Sequence, residues 1–193
     1  LAGELGTEDT AAVDERMRKG FLDANNKVTL LQKDDLVYGT TGTVACIGNR
    51  AFKIYHLGDS RAYLLRDGRL LRLTKDQTLA QMKIDAGLYR EDDPRAKGEG
   101  HKLTEYIGRD WTGENLRPQE SRWMPLKKND RLLLCSDGLY DMCPHERMES
   151  VLQETADVEK AALALMETAL KNGGEDNVTC LVAVIDGVSS KGP

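Results

Sequence analysis

Two short strings place carboxylates where they can do chemistry. In Arg131-Leu-Leu-Leu-Cys-Ser-Asp137-Gly138, an apolar run of strand type delivers Asp137 and Gly138 at its exit. In Gly173-Gly-Glu-Asp176-Asn177-Val-Thr, Asp176 and Asn177 lead directly into the strand-like run Val178 to Ile185. Two carboxylates at the ends of two buried strands are placed to share a cation. Oxygen ligands of that kind suit Mg²⁺ or Mn²⁺. Taken alone, each aspartate is equally well a residue that ends a strand and caps a turn.

The other reactive side chains make weaker cases. Ser60 and Ser136 have no neighbouring base that would mark a nucleophile. Cys46, Cys135 and Cys180 lie in apolar runs, where cysteine acts as a small hydrophobe, and with Cys143 they show no CxxC spacing. Reduced thiols fit a cytoplasmic location. His56 falls inside a strand and reads as a packed sheet residue. His101 sits in a charged loop with access to a substrate, and His145 stands at a helix start. Trp111 and Trp123 flank a polar connection and read as core plugs in preference to a partner surface.

Alternating helices and strands must position these groups. From Glu8 to about Val28, the apolar residues Val13, Met17, Phe21, Ala24 and Val28 recur at spacings of three and four. This predicts a helix, with Thr7 as its N-cap. Strands are predicted over Gly39 to Ile47, Phe52 to Leu57, Arg61 to Leu65 and Arg69 to Leu73. The tight turn Gly58-Asp59-Ser60 and the hairpin signal Asp67-Gly68 make them an antiparallel meander. Lys75 to Ala86 reads as a helix and Leu88 to Gly100 as a mobile surface segment, with order resuming at Leu103 to Ile107. Helices follow over His145 to Gln153 and Asp157 to Lys171. The second has Asp157 as N-cap and Gly173 just past its end. The last strand is expected over Asn177 to Asp186, followed by a disordered tail from Gly187 to Pro193.

Composition bounds the function. A chain of 193 residues, 40% hydrophobic and 31% charged, is ordinary for one soluble globular domain. Its net charge of −5 argues against nonspecific nucleic-acid binding, which needs a basic face. No apolar run approaches the roughly 20 residues of a membrane span. The opening Leu1-Ala-Gly-Glu-Leu is too polar for a signal peptide.

Six strings, in order, resemble the signatures of the PP2C-type metal-dependent serine/threonine phosphatases, and most closely those of small bacterial members. They are Gly39-Thr40-Thr41, Gly58-Asp59-Ser60-Arg61, Leu73-Thr74-Lys75-Asp76, Leu103 to Gly108, Cys135 to Leu139 and Gly174 to Thr179. The resemblance runs from the first helix to Ile185. It implies an α+β fold, an α-β-β-α sandwich of two antiparallel sheets flanked by helices, over a single domain at residues 1–186. It also implies the chemistry. Two Mn²⁺ or Mg²⁺ ions bridge a water, lower its pKa and present hydroxide to the phosphorus of phosphoserine or phosphothreonine. On this resemblance Asp137 and Asp176 hold the first ion, and Asp59 joins Asp137 around a third, weaker one. Gly138 and Asn177 adjoin these ligands. Lys75 to Gly108, with His101, forms the flap beside the site. The resemblance further implies phosphoprotein substrates and a cognate serine/threonine kinase pathway.

The chain departs from the family pattern in two places. Gln77 stands where the family has histidine after Leu-Thr-x-Asp. The N-terminal arginine strand, the Asn-Glu-Asp string and the strand ending Asp-Gly-Met-Gly-Gly have no counterpart in the 193 residues. The resemblance would place Leu1 just after that segment. A chain without it is expected to be poorly active alone and, if a fragment, to dimerise through exposed sheet surface. The alternative is a non-catalytic PP2C-like regulatory or phosphopeptide-binding module. Retention of Asp59, Asp137 and Asp176 favours the enzyme, because a binding module has no electrostatic reason to keep three converging carboxylates.

Overall fold

The structure is a computed structural model that describes residues 10–33, 36–110, 116 and 118–188. Thr7, Glu8, Asp9, Trp111 and the last five residues of the expected tail lie outside the described residues.

Two antiparallel sheets pack face to face. The first joins β1 (Gly42–Ile47), β2 (Ala51–Leu57) and two short strands, β5 (Gln119–Glu120) and β6 (Met124–Pro125), both paired to β2. The second has the order β4 (Arg69–Arg72), β3 (Arg61–Arg66), β7 (Arg131–Cys135), β8 (Cys180–Val184). The predicted meander is therefore corrected. β1 and β2 form one hairpin, β3 and β4 another, and Gly58-Asp59-Ser60 carries the chain from one sheet to the other instead of turning within one.

Alternation along the strands builds three apolar layers. Phe52 and Ile54 of β2, Ala62 and Leu64 of β3 and Leu132 of β7 face inward and fill the space between the sheets. Tyr63, Leu65, Leu133 and Cys135 face outward beneath α5 (His145–Glu154) and α6 (Val158–Lys171), where they meet Met148, Val151, Leu152 and Leu165. On the opposite outer face Tyr55 and Leu57 pack under α1 (Thr10–Thr29) through Phe21, Met17 and Ala24. The result is the helix-sheet-sheet-helix stack expected from the sequence.

Local signals account for most element ends. Asp67 and Gly68 both take positive φ, which sets the twist of the β3–β4 hairpin. The Asp157 carboxylate accepts from the N–H groups of Glu159 and Lys160 and starts α6. Other predicted bounds need correction. The helix expected over Lys75 to Ala86 is only α2 (Leu79–Asp85), because Thr78 caps it by accepting from Gln81 N–H. The segment expected to be mobile contains one helical turn, α3 (Pro94–Lys97), capped by Asp93. Trp123 is half-buried, and its Nε1 donates to Asp14 Oδ1 at 3.2 Å; it is not an apolar plug. A further one-turn helix, α4 (Asp137–Tyr140), follows β7 directly.

Candidate metal site at the strand exits

Strand register brings the candidate residues to one end of the sandwich. Arg61 pairs with Cys135 in the β3–β7 ladder. Asp59 precedes Arg61 by two residues and Asp137 follows Cys135 by two, so antiparallel pairing carries both carboxylates past the same sheet edge. Cys135 also pairs with Cys180, which brings the segment before β8 alongside. Ser136 staples it there. Its Oγ donates to Asn177 O at 3.2 Å and accepts from Thr179 N–H at 3.1 Å. Gly138 is required by this approach, since a Cβ there would lie 2.4 Å from Asn177 O.

Asp137 and Asp176 line one cavity of about 260 Å³, together with His101, Gly138, Asp141, Met142 and Glu175. Each aspartate bonds a nearby backbone N–H, Asp137 that of Gly138 at 2.9 Å and Asp176 that of Asn177 at 2.7 Å. Asp59 is buried deeper, and its carboxyl is pushed up to about 6, first by burial and then by the charges of Asp137 and Asp76. His101 reaches in from the flap, with Nδ1 3.7 Å from Asp137 Oδ2. A second cavity of about 570 Å³ shares His101, Asp141, Met142 and Glu175 and runs beneath the flap along α2.

The tightest grouping of ligand atoms, all within 4.8 Å of one another, is His101, Asp137 and Asp141. The sequence reading missed Asp141. Its carboxyl is raised by burial. The signal was present, because Asp137 and Asp141 are one helical turn apart, but α4 was not foreseen. Gln77 explains its own departure from the family pattern. Its side-chain Oε1 accepts from Gly58 N–H at 2.7 Å while its N–H donates to Gly58 O at 2.8 Å, so it pins the turn that carries Asp59. Gly58 has φ +110°, and a Cβ there would meet Thr41 Cγ2 at 2.4 Å.

The other candidates are structural. His56 Nδ1 hydrogen-bonds Thr43 Oγ1 at 2.9 Å within the sheet, and His145 Nε2 lies 3.1 Å from Leu70 O at the start of α5. Cys135 is buried, and burial pushes its thiol up to about 12, the opposite of an activated nucleophile.

The donor set consists of carboxylate oxygens with one imidazole. Asp59, Asp137, Asp141 and Asp176 have no lysine or arginine ion-pair partner among the described residues. This chemistry fits a hard divalent cation and does not resemble the cysteine-rich set of a structural zinc site.

The model of the family described as protein phosphatase 2C matches residues 4–83. The serine/threonine protein phosphatase PstP of Mycobacterium tuberculosis is 39% identical over 184 residues, which cover 95% of this chain and 34% of that protein's length. A serine/threonine phosphatase of S. agalactiae superposes with a TM-score of 0.82 at 27% identity, over 93% of this chain and 74% of that one. The catalytic domain of PstP in complex with two manganese ions gives a TM-score of 0.73 at 34% identity, over 93% and 72% of the respective chains. The six ordered strings, the two-sheet sandwich and these likenesses lead to one assignment: the chain belongs to the protein phosphatase 2C family.

Proposed function

We propose that this chain is a metal-dependent serine/threonine phosphatase domain, spanning residues 1–186, that hydrolyses phosphoserine and phosphothreonine in proteins. The observation that carries this reading is the set of carboxylates converging without cation partners beside an open cavity. Asp137 and Asp176 would hold Mn²⁺ or Mg²⁺, and Asp59 would join Asp137 around a further ion. Asp141 and His101 border the same place. A bound divalent cation would lower the pKa of its water and neutralise charge on the phosphate. The chain's own part is to position. Ser136 and Gly138 hold the Asp176 segment against α4, Gln77 fixes the Asp59 turn, and the flap covers the cleft through which a phosphorylated loop would enter.

No arginine lines the smaller cavity among the described residues. The N-terminal arginine strand of the family pattern therefore has no counterpart among the side chains that line this cavity. On this reading the 193-residue chain assayed alone hydrolyses slowly. The likeness to the phosphatases of M. tuberculosis and S. agalactiae supports a bacterial signalling role in the cytoplasm, opposite a serine/threonine kinase. Among the described residues no helix is long and apolar enough to cross a membrane.

The test is hydrolysis of a phosphothreonine peptide with Mn²⁺, measured on the 193-residue chain and, where the encoded polypeptide is longer, on that complete polypeptide. Asp137→Asn should lower the rate of the complete polypeptide by roughly a hundredfold or more, the loss of several kcal/mol of barrier reduction. An unchanged rate in that variant overturns the site. No metal-dependent activity in the complete wild-type polypeptide favours the non-catalytic module. Strong activity from the short chain shows that its residues suffice. Sedimentation of the short chain also tests whether it dimerises.

A further inference from the structure

Tyr140 closes the one-turn helix that Asp137 opens, and its side chain reaches across to the turn that carries Asp59. Its hydroxyl donates to the backbone carbonyl of Asp59 at 3.2 Å. Its ring carries the Arg61 guanidinium, whose carbon lies 3.4 Å from the ring centroid. This is close stacking of a planar cation on an aromatic face.

Arg61 is itself fixed from the sheet. Its Nε donates to Asp76 Oδ1 at 3.1 Å and its Nη2 to Asp76 Oδ2 at 2.6 Å, while Nη1 lies 3.4 Å from the Tyr63 hydroxyl. Arg72 of β4 also bonds Asp76. Two arginines from one hairpin therefore anchor one aspartate, and the forked guanidinium becomes a rigid plate. Tyr140 rests on that plate and ties α4 to the turn between the two sheets.

The tie acts where it is needed. Asp59 sits in a linker between sheets and not inside a ladder, so strand hydrogen bonds do not fix it to β7. The Arg61–Cys135 pair of the β3–β7 ladder carries Asp59 and Asp137 past the same sheet edge. Like charges there push apart unless something holds them. Among the described residues, Tyr140 hydrogen-bonds directly from α4 to Asp59.

We propose that Tyr140, backed by Arg61, is a positioning clamp that holds Asp59 against Asp137 and so sets the affinity of the divalent cation those two carboxylates share. The proposal rests on the metal-site reading above and deepens it. Tyr140 and Arg61 supply no ligand atom. They act by pre-paying the approach of two repelling ligands, a cost otherwise met when the cation binds.

The test is Mn²⁺ titration by calorimetry, beside metal-free thermal unfolding, on wild type, Tyr140→Phe, Arg61→Lys, Asp59→Asn, Asp137→Asn and the double variant Tyr140→Phe/Asp59→Asn. Tyr140→Phe keeps the ring and removes only the hydroxyl, so it should weaken Mn²⁺ binding about fivefold, the worth of one hydrogen bond. Arg61→Lys keeps the charge but loses the plate and should do the same. In the Asp59→Asn background Tyr140→Phe should cost nothing further, because the clamp then has no charged ligand to hold. A merely structural tyrosine would lower the unfolding temperature and leave Mn²⁺ affinity unchanged, or weaken it equally in both backgrounds; either result overturns the clamp. If Tyr140→Phe does not fold, Arg61→Lys and its double variant with Asp59→Asn decide by the same criterion. Undiminished binding in Asp137→Asn sinks the metal-site reading and the clamp with it. Binding that depends on Asp137 but not on Tyr140 or Arg61 sinks the clamp alone.

Discussion

Among the described residues, two clusters of carboxylates are solved in opposite ways. Under α1, on the outer face of the first sheet, Asp14 and Glu120 share the buried Lys53, whose Nζ lies 2.9 Å and 2.7 Å from them. Arg18 also bonds Glu120, and the Tyr55 hydroxyl and Trp123 Nε1 donate to Asp14. Burial pushes both carboxyls up, but these donors and the Lys53 charge outweigh it, and both end below their usual range. At the strand exits the sign is reversed. Asp59 and Asp141 end above their usual range, because burial there is not offset by a nearby lysine or arginine pair. A neutralised cluster is a device that docks a helix. An unneutralised one costs the fold stability until something outside the chain completes it.

That contrast can be broken by mutation, and the largest effect belongs to the balanced cluster. Lys53→Met should destabilise the protein by roughly 3 kcal/mol, because it leaves two partly buried carboxylates facing each other. Urea unfolding measures this, and a change under 1 kcal/mol would mean that the cluster is not held by its central lysine. Mn²⁺ affinity per folded molecule should change little, since no residue of this cluster borders the cavity.

A pH experiment sharpens the comparison at a buried group that belongs to neither cluster. His56 is 1% exposed, its Nε2 has no hydrogen-bond partner among the described residues, and burial lowers its pKa to about 4. The folded state therefore resists a proton that the unfolded chain accepts below about 6.5. The contribution of His56 is fully present above that pH and is lost as pH falls towards about 4. Wild type should lose up to about 3 kcal/mol across this window through His56 alone. His56→Gln should show a shallower fall over the same range, and identical slopes would show that His56 is not buried neutral.

Metal addition probes the unbalanced cluster directly. Mn²⁺ at about a hundred times its dissociation constant should stabilise wild type by about 2.7 kcal/mol. Asp137→Asn should lose most of that gain, whereas Lys53→Met should keep it. Equal gains in all three proteins would place the ion elsewhere.

Legibility in the sequence followed the range of each signal. Alternation in β2, β3 and β7, the Asp67-Gly68 hairpin and the Asp157 cap are local, and the elements appear where the residues ask for them. The switch between sheets at Gly58 was not legible, because a tight turn reads the same whether the next strand pairs with the last or crosses to another layer. α4 escaped because four residues carry no periodicity. With it went Asp141 and Tyr140, whose roles exist only once a helix follows Ser136. The pairing of Asp14 with Lys53 and Glu120 spans more than a hundred residues, and no local pattern announces it. The sequence led to the expectation that Asp59, Asp137 and Asp176 converge; the tight grouping joins His101 and Asp141 to Asp137 instead, and it needed the flap and α4 in place.

The smallest expected effect is also the one whose sign matters most. Asp59→Asn replaces a buried carboxylate by a neutral side chain of the same shape. Near pH 8, without metal, this removes a charge that burial and Asp137 both oppose. The variant should be more stable than wild type by about 1 kcal/mol, the usual gain when a strained functional group is neutralised. With Mn²⁺ the order should reverse, because wild type gains binding free energy that the variant lacks. Urea unfolding of both proteins, with and without metal, reads both signs in one experiment. A variant less stable than wild type in the metal-free state would mean that Asp59 has a compensating partner, and the two clusters would then differ only in degree. The predicted reversal would show that the chain carries this carboxylate at a cost to its own stability, which only a bound cation repays.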